Sequence, residues 1–369
     1  MPKSPSVATP AFDPNAAAAP GSGVFGLPFT REQAKVILIP VPFDATTSYG
    51  GGTSAGPEAL REASAQVDLL DHQFGNIYTR GIHILAHPGK IKKLSKRARK
   101  LAEPIIAAGG ATDDDGKILS KVDAASEEMN DWVEKQVAQV LTEGKAPGLV
   151  GGDHSTPYGA IKACAEHVAK MGGKSTKGKG KAKSGAAANG TGGGLGILHI
   201  DAHMDLREAF EGFKFSHASI MYNVLKDIPQ VSKLVQVGIR DYCEAERDLA
   251  NASKDRVSVH YDLDMAEAMM EGKTWPQLAK AIVAELPDHV YVSFDIDGLE
   301  PSLCHHTGTP VPGGLTFAQA AVLLKALADS GKHVVGFDLV EVCPGPNPDE
   351  PQWDANVGAR VLYKLCGLV

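Results

Sequence analysis

The feature that most constrains this chain is a repeated alternation. Short, continuously apolar, β-branched runs are separated by amphipathic stretches of helical period. The runs are VILIPVPFD (36–44), GLVGGD (148–153), GILHIDAHMD (196–205), KLVQVGIRD (233–241), VSVHYDL (257–263), HVYVSFDID (289–297) and HVVGFDLVEV (333–342), with GIHILAH (81–87) as a possible eighth. Runs that do not alternate with polar residues suit strands buried on both faces. Between them, 125–141, 157–170, 275–285, 316–329 and 355–366 carry apolar residues at helical spacing. Strand–helix alternation of this kind predicts an open, mostly parallel sheet covered by helices on both faces, with a closed eight-stranded barrel as the alternative.

At 369 residues the chain can bury such a sheet fully. Residues 31–369 read as one catalytic domain, and the Ala-, Pro-, Ser- and Gly-rich residues 1–30 as a disordered tail. Residues 171–194, Gly- and Lys-rich, read as a flexible surface insertion, and 89–125, running from basic to acidic, as a solvated excursion with helical content. The net charge of −7 gives no basic footprint for nucleic acid. No apolar run approaches the roughly 20 residues that cross a bilayer. Five scattered cysteines without a CxxC pair point to reduced thiols in a cytoplasmic protein.

Chemistry concentrates in three strings, each at the C-terminal end of an expected strand, the edge where open α/β sheets bind ligands. Gly151-Gly152-Asp153-His154-Ser155 makes a sharp turn that carries an imidazole. Asp201-Ala202-His203-Met204-Asp205 places three ionisable groups at i, i+2 and i+4, which on a strand point together into one space. Asp295-Ile296-Asp297 repeats the pattern with two carboxylates. Such groups after an apolar run are costly to bury without a counter-charge, and a divalent metal supplies one. Two imidazoles and four carboxylates, without thiolates, suit Mn²⁺ and its neighbours better than structural zinc. Six ligands exceed what one catalytic ion with an open position needs, and suit two ions sharing carboxylates.

In this order, GGDHS, DAHMD and SFDID resemble the metal motifs of the ureohydrolase family of arginases, agmatinases and guanidino-acid hydrolases. The segments 41–61, 308–316 and 338–344 resemble others of its motifs. The resemblance implies a three-layer α/β/α sandwich with a mostly parallel, about eight-stranded sheet. It implies two divalent ions per subunit, manganese first and nickel as the alternative. One ion would be held by His154, Asp201, Asp205 and Asp295, and the other by Asp201, His203, Asp295 and Asp297. It also implies a small guanidino substrate, no nucleic-acid or membrane partner, and a homotrimer or homohexamer.

The guanidinium carbon is a poor electrophile, so its hydrolysis needs water activated at neutral pH and protonation of the departing amine. Asp205 is the candidate for orienting that water and taking its proton. His217 is the candidate proton shuttle, and Glu341 the candidate carboxylate for the guanidinium fork. The stretch 206–219 lacks the Thr/Ser/Asn-rich loop with which arginases hold an amino acid, which disfavours L-arginine. Arg207 and Glu208 are candidates for shaping specificity near the mouth, and Phe210, Phe213, Phe215, His305 and His306 for shaping a small pocket. The expected order of substrates is agmatine, then free guanidine, then guanidino acids. A deacetylase with one zinc is the rival from a different class.

Overall fold

The computed structural model describes residues 12–19, 21–174, 193–253, 255–347, 349–350 and 352–369. Eight strands form one parallel sheet: β1 (Val36–Val41), β2 (Ile82–Ile84), β3 (Ala146–Gly151), β4 (Leu195–Ile200), β5 (Val231–Ile239), β6 (Val257–Tyr261), β7 (His289–Asp295) and β8 (His333–Val340). Their order is β2-β1-β3-β8-β7-β4-β5-β6. The sheet is open, with β2 and β6 at its edges, so the barrel alternative is excluded.

The strands are apolar on both sides because both sides are covered. Val36 and Leu38 of β1 face one core, while Ile37, Ile39 and Val41 face the other. The first core is closed by α1 (Gly56–Ala63), α8 (Trp275–Ala284), α9 (Phe317–Asp329) and α10 (Trp353–Cys366). The second is closed by α2 (Gly89–Ala107), α3 (Gly116–Thr142), α4 (Tyr158–Lys174), α5 (Ile220–Asp227) and α6 (Glu244–Ala252). α7 (Asp262–Met270) follows the edge strand β6. The result is the expected three-layer α/β/α sandwich.

Three expectations need correction. Residues 21–30 are packed rather than tail: Val24, Phe25 and Leu27 are buried, the Phe25 amide donates to Ser64 Oγ at 2.9 Å, and its ring lies 4.9 Å from that of Tyr363. The expectation for residues 1–11 and 20 lies outside the described residues. The stretch 89–125 is not a solvated excursion, because α2 buries Ile91, Leu94, Ala98 and Ala102 beneath its charged face. Helix α4 extends to Lys174, into the segment expected as insertion, and residues 175–192 lie outside the described ones.

Strand order positions the site. Chain order runs outward from β1 and returns at the centre, where β8 and β7 fill the gap between β3 and β4. A ligand crevice is expected at such a reversal, outside the carboxyl ends of the strands. Among the described residues no helix is long and apolar enough to cross a membrane.

Candidate metal centre and substrate pocket

The carboxyl ends of the four central strands carry the candidate residues. β3 leads into His154, β4 into Asp201, His203 and Asp205, β7 into Asp295 and Asp297, and β8 into Glu341. The way these side chains converge differs from simple strand alternation. β4 ends at Ile200, so Asp201, His203 and Asp205 lie in the loop beyond it. Asp205 and Glu341 both have left-handed backbones, at φ 54° and 60°. Non-glycine residues pay for this conformation, and it persists where surrounding structure imposes it. Turn geometry, more than strand parity, therefore aims these carboxylates inward.

His154 Nδ1 lies 2.9 Å from Asp201 Oδ2, 3.1 Å from Asp205 Oδ2 and 3.1 Å from Asp295 Oδ2. His203 Nδ1 lies 3.4 Å from Asp201 Oδ1 and 3.2 Å from Asp297 Oδ2. Asp201 thus turns one oxygen towards each histidine. Backbone amides hold the carboxylates in place: His203 N donates to Asp201 Oδ1 at 2.6 Å, Asp297 N to Asp295 Oδ1 at 2.8 Å, and Ala202 N to Asp297 Oδ1 at 3.1 Å. Behind His154, Ser293 Oγ meets its Nε2 at 3.0 Å and donates to Asp338 Oδ1 at 3.1 Å. Such partners fix the orientation of a ligating imidazole.

The electrostatics of the cluster call for added positive charge. Asp201, Asp205, Asp295 and Asp297 are all buried, against only a few imidazoles. Burial, then the charge of Asp201, pushes Asp205 up to about 6. Burial, then Asp297 and Asp201, raises Asp295 well above the carboxylate range. Burial alone would lower His154, yet Asp201, Asp205 and Asp295 outweigh it and raise it well above an ordinary histidine. Burial likewise opposes, and Asp297 and Asp201 overcome, in raising His203. Burial also favours a neutral Asp201, but His199 and His154 draw its carboxyl well below the usual range. His154 Nδ1 has no hydrogen-bond partner of good geometry among three carboxylate oxygens. His154, His199, Asp201 and Asp205 form one group whose donor atoms could hold a metal ion, and Asp201, His203 and Asp297 form another, while Asp295 stands against His154 outside both groups.

His199 went unread in the sequence. It is fully buried in β4, with Nε2 2.8 Å from Asp201 Oδ2 and Nδ1 3.0 Å from Gln236 Nε2. The signal was present: His199 stands two residues before Asp201 and shares its parity, in the middle of an apolar strand.

Beside the cluster opens a cavity of 180 Å³ lined by Ser48, His203, Asp205, Arg207, Phe210, His217, Asp241, Tyr242, Glu246 and Thr309 among others. His217 is buried, with Nε2 3.4 Å from Ser48 Oγ and Nδ1 3.3 Å from Ser216 Oγ. Burial, then the positive charge on His203 and His154, lowers it to about 3. Arg207 reaches the buried Glu246 (Nε–Oε2 3.5 Å) and lies 4.9 Å over the Phe210 ring. Glu341 is buried: Oε1 accepts the His154 amide at 2.9 Å, and Oε2 has no partner. Burial, then Asp295 and Asp153, raises its pKa well above the carboxylate range.

The other pocket candidates divide. Phe210 lines the cavity. Phe213 is buried against Ala102, Ile105 and Val122, and Phe215 packs on Tyr158, so both belong to the core. His305 and His306 turn away to Asp354 and do not line the cavity.

The profile of the arginase family matches residues 34–367. The chain is 30% identical to N(1)-aminopropylagmatine ureohydrolase of Thermus thermophilus, over 91% of each chain. It is 28% identical to an agmatinase of Salmonella paratyphi B, over 85% of this chain and 81% of that one. In fold it is similar to proclavaminate amidinohydrolase from Streptomyces clavuligerus, at a TM-score of 0.65 and 22% identity over 96% and 98% of the two chains. A hypothetical agmatinase from Burkholderia thailandensis gives a TM-score of 0.65 at 22% identity over 96% and 92%. The chain belongs to the arginase family. It is an enzyme of the ureohydrolase type, a hydrolase of guanidino C–N bonds.

Proposed function

We propose that the chain is a binuclear-metal amidinohydrolase that cleaves an amine-bearing guanidino compound of the agmatine kind to urea and an amine. The observation that carries the two-ion reading is the division of Asp201, with one oxygen towards His154 and the other towards His203. One ion would sit among His154, Asp201, Asp205 and Asp295, and the other among Asp201, His203, Asp295 and Asp297. Manganese suits so carboxylate-rich a set, with nickel as the alternative. When bound, the pair supplies water activated at neutral pH and charge stabilisation at the reacting carbon.

The protein's own groups do the rest. Asp205, beside both the cluster and the cavity, orients the attacking water and takes its proton. The free Oε2 of Glu341 is the acceptor for guanidinium N–H donors, and its raised pKa falls again when a cation arrives. His217, buried at the cavity wall with Nε2 3.4 Å from Ser48 Oγ, is placed to relay a proton to the departing amine.

Asp241 and the Tyr242 ring line the cavity and favour a cationic far end. Arg207, the group that would hold a carboxylate, is committed to Glu246 and Phe210. That ranks agmatine-like amines above guanidino acids. The small cavity keeps free guanidine as the second reading. The exposed Leu263 and Met270 on α7 are compatible with a homotrimer or homohexamer.

Metal analysis of the purified protein, with kinetics on agmatine, guanidine, arginine and guanidinobutyrate, tests the proposal. Two ions per chain and the highest kcat/KM on agmatine are expected. One zinc per chain, or arginine turned over far faster than the others, would overturn it. In the same assay Asp297→Ala should lose one ion, and activity should fall by more than the ~10–100-fold that loss of an outer-shell partner costs.

A further inference from the structure

The two histidines that turn away from the cavity form a second constellation. The loop after β7 carries His305 and His306, and the first turn of α10 carries Asp354. Asp354 is fully buried, with Oδ2 accepting the His306 amide at 2.8 Å. Its other oxygen faces both rings: Oδ1 lies 3.1 Å from His306 Nδ1 and 3.8 Å from His305 Nε2. The ring centroids are 4.5 Å apart.

We propose that His305, His306 and Asp354 form a third, separate divalent-metal site that takes a borderline ion such as Zn²⁺. An ion bonded at about 2.0–2.1 Å in tetrahedral geometry holds its ligands roughly 3.3 Å apart. The separations of 3.1 and 3.8 Å bracket that value, and the three donor atoms lie within 4.8 Å of one another. A hydrogen bond would explain the His306 pair alone. It does not explain His305, whose nitrogen is too far from the same oxygen to bond it. Two imidazoles and one carboxylate suit zinc, cobalt or nickel better than a carboxylate-rich cradle does. The histidine side chains are 50% and 34% exposed, which leaves an entry path and room for a water ligand.

Two further features border the site. Gln352 Oε1 is buried without a partner, an acceptor at the root of the same helix. Gly345 has no side chain where a Cβ would come within 3.2 Å of His306 Cε1 and 3.5 Å of Gln352 Oε1. The same loop reaches the main centre: Thr307 Oγ1 donates to the Glu341 carbonyl at 2.8 Å, and Thr309 Oγ1 to Asp297 Oδ2 at 3.3 Å. A bound ion would therefore fasten this loop to α10 and hold both threonines in place.

The test is Zn²⁺ content after loading the full-length protein and dialysing it against metal-free buffer. The wild type should keep one more equivalent than His305→Gln/His306→Gln. Asp297→Ala, which removes a candidate ligand of the main centre and none of this site, should keep that same equivalent. Equal content in the wild type and the double variant would overturn the proposal. Should the double variant fail to fold, His305→Gln alone, at a half-exposed position, should weaken retention at least tenfold, and unchanged retention would again overturn it. Because the reading is a difference between variants, it stands or falls independently of how many ions the main centre holds.

Discussion

At the scale of residues, the centre is a contest between burial and charge, and His217 shows how it resolves. In the metal-free protein burial first, then the charge on His203 and His154, drives it down to about 3. Its place at the cavity wall beside Ser48 suits a relay of protons to the departing amine. His217→Ala should therefore lower kcat by ~10²–10⁴-fold, the usual contribution of a positioned acid–base group. Metal content should stay unchanged, since no candidate ligand touches His217 within hydrogen-bond reach. Parallel loss of metal and activity, measured by elemental analysis beside the rate, would make it a structural residue instead. Ser293 gives the complementary case. It lies behind His154, away from the cavity, and steers the ring through Nε2. Ser293→Ala should weaken metal retention ~10–100-fold, and KM should change little once the site is saturated with metal.

At the scale of elements, the sequence made the strands easy to find and left the turns obscure. Buried parallel strands announce themselves as unbroken apolar runs, and each of the expected ones is present within a few residues of its expected bounds. The helices α1, α2, α5, α6 and α7 were harder. α2 hides its buried stripe beneath lysines and arginines, and α5 and α6 are short, so composition outweighs period. The candidate site was legible because its candidate ligands are rare residue types at fixed spacing beside strand ends. Its geometry was not, because the strand at 195–200 stops before Asp201, His203 and Asp205, and the left-handed backbones of Asp205 and Glu341 have no sequence signature. His199 was overlooked for a related reason, since a lone histidine inside an apolar run resembles core. The turn after β3 yields a sharp prediction. A Cβ on Gly152 would lie 1.9 Å from the Phe43 carbonyl oxygen, a clash with backbone that no rotamer relieves. Gly152→Ala should cost about 3 kcal/mol or more in denaturant unfolding. It should also misplace His154, two residues on, and reduce metal binding.

At the scale of the whole molecule, folding, protonation and metal binding are one linked equilibrium. The sheet gathers buried carboxylates from several strand ends, and in the metal-free protein protons balance part of their charge. His154 and His203 have raised pKa values, so the stability they contribute to the metal-free state is full below the unfolded value near 6.5 and is lost as pH rises through their folded values. Asp205, raised to about 6, follows the same sign: its contribution is full below about 4 and is lost as pH rises through 6. Metal ligands must be deprotonated, so an entering ion displaces the protons that remain. Affinity for Mn²⁺ or Ni²⁺ should therefore climb with pH across neutrality, by roughly one to three log units per pH unit as His154, His203 and Asp295 release protons. Below pH 6 the slope should steepen as Asp205 joins them. Calorimetric titration in buffers of different ionisation enthalpy counts the protons released. The rise in Tm on adding metal should shrink in step as pH falls, because stabilisation by a ligand follows its affinity. Affinity that is flat between pH 6 and 8, with no proton released, would mean that the histidines are already neutral and that the carboxylates do not share charge through them.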